Sequence, residues 1–369
     1  MKIGVDAKWY FGGPPSGVRV IRNLVHSLLE YDQENEYFIF MDKKYKAKEL
    51  DFKPNERVKV IYLWAGNNML SNVFVLPLKA NKFHLDVMLY QNFVSPFHSG
   101  KKIAYIFDVL FESFPQFFTK RERIYFFFIK YFAWFSNGII TLSETEKKRL
   151  VAFGYAPEER VHAIYIGVDD SFTTQNKHES YRVEQVKMKY NLPNNFLLYV
   201  GRLNTRKNIE NLLRAMVLID DKTIPLVIAG KEDWKQFDYE SLIEESGIKS
   251  RVLFTGWTED SDLPIIYSLA TIFCFPSYAE GFGLPPLEAM ASGVPVIVSN
   301  TTSLPEICGS SAMYISPEKP EDIAVVISQL LSRKELREVQ VIEGLKQVSQ
   351  FKWKNTAAQF YSVFSSLKK

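Results

Sequence analysis

Residues 279–299 read AEGFGLPPLEAMASGVPVIVS. Ahead of them TIFCFPS (residues 271–277) is an apolar, β-branched and aromatic run that reads as a strand, and PVIVS at the end reads as another. Between the two, Gly281 and Gly283 allow close backbone approach and a helix is expected from Leu284, with Pro285 and Pro286 in its first turn. Strand, glycine turn, helix, strand is the βαβ unit of a parallel sheet. Glu280 stands on the turn and Glu288 about one turn into the helix. A carboxylate only accepts hydrogen bonds, so each suits a polyhydroxylated ligand, or each simply complements the positive helix end.

Working outward, the same alternation recurs. The runs KIGVDA, YFIFM, VKVIYLW, DVMLYQN, KIAYIFD, GIITLS and VHAIYI occupy the first half, and FLLYVG, PLVIAG, RVLFTG, TIFCFPS, PVIVS and AMYIS the second. Continuous apolarity marks strands covered on both faces, and a helical pattern follows most of them. The expected fold is α/β, with two doubly wound Rossmann-like domains. The chain turns polar from Asp169 to Asn195, which places the domain junction there: residues 1–175, then 176–351, with 352–369 forming a closing helix.

At 369 residues, 47% apolar and 24% charged, the chain can bury two large cores. A net charge of +3 with no long run of one sign argues against nucleic acid as a partner. Cys274 lies in an apolar run and reads as a buried thiol, and no metal-ligand spacing is present. MKIGVDAKWY lacks the apolar core of a signal peptide and no apolar stretch is long enough to span a bilayer, so the expected location is cytoplasmic. Aromatic residues make up 15% of the chain, many of them in RERIYFFFIKYFAWFSNG (residues 121–138). That segment is expected as a helix buried between a sheet and its neighbours. Its Arg121, Arg123 and Lys130 leave open a helix lying at the inner face of an anionic membrane.

In open α/β sheets ligands bind beyond the carboxyl ends of the strands. After FLLYV comes GRLNTRKNIENLLRA, in which Arg202 closes the strand and Lys207 precedes the next helix. Two cations beside a helix start suit a phosphate or diphosphate, and Arg206 between them competes for either role.

Taken together, GRLNTRKN and EGFGLPPLEAMASGVPVIVSN resemble the retaining GT-B glycosyltransferases of family 4, whose mark is a Glu, seven residues, then a Glu, as in Glu280 and Glu288. FTGWTEDSDLPIIYSLA, TTSLPEICGSSAMYISPEKPEDIA and SETEKKRLVAFGYAPEERVHAIYIGVDDSF extend the likeness over almost the whole chain. The resemblance implies two domains facing a central cleft and a nucleotide-sugar donor, with GDP-mannose first. It implies a glycan or lipid-linked acceptor in surface polysaccharide synthesis, and no metal. Arg202 and Lys207 would hold the donor diphosphate, Glu280 the donor sugar, and Glu288 the ribose. Gly281, Phe282, Gly283 and Leu284 would line sugar and phosphate, and Trp257 would lie by the base. The closing helix would return to the first domain.

Two positions depart from the family pattern. Where the family commonly has His-Asp after KIAYI, this chain has Phe107-Asp108, so no imidazole can reach the donor sugar from there. Asp108 or Glu112 could accept a proton from the acceptor hydroxyl; His98, on the far side of the same strand, could not reach. In the first glycine loop, WYFGGPPSGVRVIRNL, one residue is missing before Arg19, and Gly17 is the position expected to admit a sugar or phosphate. A non-catalytic relative that binds nucleotide or glycan in an assembly complex is the alternative reading.

Overall fold

The computed structural model describes residues 1–231 and 237–367. The chain divides into two compact units: residues 1–167 with 351–369, and residues 168–350.

Among the described residues the first unit holds seven parallel strands: β1 (Lys2–Asp6), β2 (Glu36–Asp42), β3 (Val58–Leu63), β4 (Val87–Gln91), β5 (Lys101–Tyr105), β6 (Gly138–Thr141) and β7 (Val161–Ala163). Their order across the sheet is β3-β2-β1-β4-β5-β6-β7. The order reverses between β1 and β4, the topological switch point of a Rossmann-like sheet. β1, β4 and β5 are apolar along their length because helices cover both faces; Ile3, Val5, Met88, Tyr90, Ile103 and Ala104 are fully buried.

The helix Trp353–Ser366 belongs to this unit and packs on the helix Pro15–Tyr31. Phe360 and Phe364, one turn apart, are fully buried, and Phe360 sets its ring against Tyr105 at 5.2 Å. The Thr356 hydroxyl donates to the Tyr165 carbonyl at 2.8 Å, pinning the start of the helix.

The second unit repeats the plan with six parallel strands among the described residues: β8 (Leu197–Val200), β9 (Leu226–Ala229), β10 (Val252–Gly256), β11 (Ile272–Phe275), β12 (Val296–Ser299) and β13 (Met313–Ile315). Their order is β10-β9-β8-β11-β12-β13, with the switch point between β8 and β11. The three strands on one side of that point each run into a glycine, and these glycines join in a backbone ladder. Gly201 N–H donates to the Ala229 carbonyl and Gly230 N–H to the Gly256 carbonyl, both at 3.0 Å. A Cβ on Gly230 would run into the Gly201 carbonyl, so the carboxyl edge of this sheet is packed backbone on backbone.

Two expectations change. The second unit starts at Val168, not at residue 176, and the polar stretch after Asp169 packs into it. Phe172 meets the ring of Tyr267 at 5.5 Å, while Lys189 and Tyr190 on the helix Ser180–Tyr190 both donate to Asp262, at 2.8 and 3.0 Å. The aromatic helix, Lys120–Ala133, is buried on one face only. Ile129 and Ala133 enter the core of the first unit, whereas Ile124, Phe127, Phe128, Tyr131 and, just beyond the helix, Trp134 are exposed. Residues spaced three and four apart form stripes on a helix, and here two opposite stripes are both apolar while only one has a core to enter.

Candidate active site

The ligand-binding crevice of an open α/β sheet lies where the loops after the two strands flanking the switch point diverge. In the second unit those loops are Gly201–Asn208, after β8, and Pro276–Gly283, after β11. Of the candidate residues, Arg202, Lys207, Glu280, Gly281, Phe282 and Gly283 fall on them, and the structure brings Lys207 and Glu280 together with Arg206.

The loop after β8 makes a short 3-10 turn, Thr205–Lys207, capped by Asn204, whose side chain accepts from the Lys207 N–H. Asn208 then takes a left-handed conformation (φ +58°) and starts the helix Ile209–Leu218. Asn tolerates that conformation better than other residues with a Cβ. Its buried amide donates to the carbonyls of Pro276, at 2.9 Å, and Pro317, at 2.7 Å, tying this loop to the one after β11.

Across the crevice the Lys207 ammonium donates to Glu280 Oε1 at 2.6 Å and lies over the Phe275 ring at 4.7 Å. Arg206 faces the other carboxylate oxygen at 3.1 Å and also donates to the Ala279 carbonyl. All three side chains are about nine-tenths buried. Burial alone would raise the Glu280 carboxyl, but Lys207 and then Arg206 overcome it and hold the group down at about 2. Burial works on Lys207 in the opposite sense, with Arg206 and Arg202 adding to it, and Glu280 only partly compensates: the ammonium sits at about 8. At neutral pH the crevice therefore holds a carboxylate between two cations.

The turn that carries Glu280 is held from behind. Thr302 Oγ1 accepts the Glu280 N–H at 2.9 Å, and the Ser303 hydroxyl lies 2.8 Å from the Glu280 carbonyl and 2.6 Å from that of Phe282. Thr302 has φ +53°, an unfavourable conformation for a β-branched residue, of the sort kept only where the surroundings fix it. Gly283 has φ +135°, and a Cβ there would approach Leu304 Cδ2 to 3.0 Å.

The helix that follows, Leu284–Ala291, offers an anion fewer donors than its position suggests. Pro285 and Pro286 carry no N–H, so its donors come from Leu284 and the turn before it. Glu288 is only 2% exposed and accepts from the Tyr267 hydroxyl at 2.9 Å. Arg202 is exposed at the end of β8, and Trp257, 56% exposed, follows β10. That strand is two positions from β8 in the sheet, about 10 Å at ordinary strand spacing. Cys274 and Cys308 are both buried, and burial pushes both thiols up. Among the described residues no group of three His, Cys, Asp or Glu side chains is placed to hold a metal ion.

Two of the candidates belong to the first unit. Gly17 is the third residue of the helix Pro15–Tyr31, and a Cβ there would meet Trp9 Cε3 at 2.9 Å. Trp9 in turn meets the edge of Phe107 at 5.8 Å, and Phe107 packs on Tyr105 at 4.7 Å. Where the family pattern has an imidazole, this chain has an aromatic cluster. Asp108 lies beside it, with Oδ1 3.4 Å from the Leu110 N–H, and Glu112 accepts from the Tyr155 hydroxyl at 2.9 Å. His98 is buried ahead of β5, at its amino end.

Sequence reasoning misses the parts that hold the site. It makes Arg206 a competitor for the diphosphate, whereas the side chain pairs with Glu280. It does not single out the loop-tying Asn208, nor Thr302 and Ser303 behind the turn. Asn208 has a signal, an Asn between a strand loop and a helix start. At the switch point of the first unit, Lys8 is buried against Asp6 at 2.6 Å and also donates to Asn72, and the Gln91 amide donates to the Asp6 carbonyl at 2.5 Å. Nothing in the spacing signals that pairing.

Residues 182–347 match the family described as glycosyl transferases group 1. Over 233 residues the chain is 33% identical to the O-antigen chain mannosyltransferase B of Escherichia coli, an alignment covering 62% of this chain and 60% of that protein. It likewise spans less than two thirds of the length of other curated relatives. The sucrose-phosphate synthase of Thermosynechococcus elongatus superposes with a TM-score of 0.79 at 20% identity, covering 100% of this chain and 99% of that one. The Anabaena protein HepE, solved in complex with UDP and glucose, superposes at 0.76 and 17% identity, covering 99% and 100%. These likenesses show the fold: two parallel-sheet, Rossmann-like α/β domains in the GT-B class.

Proposed function

We propose that the chain is a retaining glycosyltransferase of the family 4 type, moving a hexose from a nucleotide sugar to a glycan or lipid-linked acceptor in surface polysaccharide synthesis. The carrying observation is the Glu280 carboxylate held between Lys207 and Arg206 at the switch point of the second sheet. The sequence similarity of the chain to O-antigen mannosyltransferases supports the reading and makes GDP-mannose the first donor to test.

In the transfer, the bond between the donor's anomeric carbon and the diphosphate oxygen breaks, and the acceptor hydroxyl forms the new bond and loses its proton. Charge builds on the departing diphosphate. Arg202, Lys207 and the N–H groups of the turn Gly281–Leu284 are the groups assigned to meet it, fixed in place before reaction. Glu280, anchored through Lys207 and the Thr302–Ser303 support, is assigned to the sugar hydroxyls, and Glu288 to the ribose hydroxyls. Trp257 is assigned to the base. The first unit is assigned the acceptor, with Asp108 taking the proton, while Gly17, in the first turn of the helix Pro15–Tyr31, is assigned to admit a donor sugar or phosphate.

A thermal-shift screen against GDP, UDP and ADP and their sugars tests this, because a ligand that binds only the native state stabilises it by mass action. A matched donor raises the melting temperature, and the same donor is consumed in a transfer or hydrolysis assay. Stabilisation without turnover on any donor supports the non-catalytic alternative, and no stabilisation by any nucleotide or nucleotide sugar overturns the transferase reading.

A further inference from the structure

The exposed stripe of the aromatic helix is not explained by the fold or by sugar transfer. Ile124, Phe127, Phe128, Tyr131 and Trp134 run along one side over about 15 Å of helix, four of them roughly 60% exposed. Scattered surface aromatics are ordinary, but a continuous line of five marks a surface meant to be covered.

A second exposed apolar group lies in the same unit. The Met69 backbone reaches the Tyr125 hydroxyl, which brings the segment around residues 68–82 against this helix. On that segment Leu70, Phe74 and Leu78 are exposed, and Phe74 stacks on the exposed Phe97 at 5.9 Å.

Charge identifies the occupant. The first turn of the aromatic helix carries Lys120, Arg121 and Arg123, all exposed, and Lys130 follows two turns later. The one acid of this helix, Glu122, is engaged with Thr119 in the capping box at the helix start. Three cations at a helix N-terminus oppose the macrodipole and weaken the helix, so their placement serves something outside it. Aromatics that include a Trp and a Tyr, beside Lys and Arg, are what an interfacial helix presents to anionic headgroups. Insertion goes no deeper than the interface, because no helix of the described residues is long and apolar enough to cross a membrane.

We infer that the first unit docks on an anionic lipid surface through Ile124, Phe127, Phe128, Tyr131 and Trp134, with Lys120, Arg121, Arg123 and Lys130 meeting the headgroups. The inference stands on this unit alone and does not depend on the transferase reading.

Co-sedimentation of the full chain with phosphatidylglycerol-containing vesicles and with pure phosphatidylcholine vesicles tests it. A net of three positive charges at the surface, each worth about a factor of five, predicts roughly hundredfold tighter binding to the anionic vesicles. Phe127→Glu with Tyr131→Glu abolishes that binding and leaves the melting temperature unchanged, because both side chains are exposed. Brominated lipid quenches the tryptophan emission of the native chain, and the quenching drops in Trp134→Phe. Failure to pellet with anionic vesicles overturns the proposal, as does equal binding to both vesicle types or undiminished binding of the double variant. A native dimer that the double variant converts to monomer also overturns it, since a second copy then covers the stripe.

Discussion

Replacing Glu280 by Gln keeps the shape of the side chain and removes its charge. In the native protein the carboxyl lies at about 2, against 4.5 when unperturbed, because Lys207 and Arg206 outweigh its burial. A carboxyl lowered on folding contributes stability that is complete above pH 4.5 and is lost as the pH falls toward 2. The drop corresponds to about 3 kcal/mol at pH 7. The Glu280→Gln chain lacks this contribution and leaves two buried cations facing an amide. Lys207, already down at about 8 with its partner present, falls further. For a unit of this size, about 3 kcal/mol lowers the melting temperature by roughly 6–12 °C. Calorimetry of the native and Glu280→Gln chains at pH 7 should show that gap. At about pH 3.5, where about 1 kcal/mol of the native contribution is already gone, the gap narrows. Equal melting at pH 7, or a gap that does not change between the two pH values, would refute the view that Glu280 is an ionised, doubly paired group.

Three further outcomes are expected. Arg202→Ala leaves the melting temperature unchanged, since the side chain is exposed, and weakens nucleoside diphosphate binding about ten- to hundredfold by calorimetric titration; unchanged affinity removes Arg202 from the site. Asn208→Ala loses both loop-tying hydrogen bonds and puts an unsuited residue at φ +58°, costing about 2–4 kcal/mol in urea unfolding followed by a probe in the second unit. A cost below about 1 kcal/mol contradicts the tie. Phe107→His puts an imidazole beside Trp9 and shifts the donor preference or rate of transfer; if neither moves, that position lies outside the sugar pocket.

The fold is legible because its central strands are buried on both faces. Each of the apolar runs in the sequence corresponds to a strand, and continuous apolarity identifies those strands as parallel. The site is legible to the level of which loops carry it, since ligand groups in such sheets follow the strands. What those groups do to one another is not. Lys207 and Glu280 are 73 positions apart, and whether Lys207 or Arg206 meets the carboxylate depends on a 3-10 turn that no spacing specifies. The strain at Thr302 is likewise invisible until the turn it supports is in view. The aromatic helix escapes the sequence for a different reason. Its apolar residues fall on two opposite faces, and periodicity alone cannot say which face finds a core.

The assignment of the helix Trp353–Ser366 to the first unit has a consequence for how the protein is made. The second unit is one uninterrupted segment, so it can fold as soon as it has been synthesised. The first unit begins earlier but lacks the helix that seals Phe360 and Phe364 against it until the second is finished. The first unit is thus completed only when the end of the chain arrives, and a chain cut after residue 350 would keep every segment of the second unit but leave the first with an open apolar face. Chaperone capture at that stage should fall on the beginning of the chain.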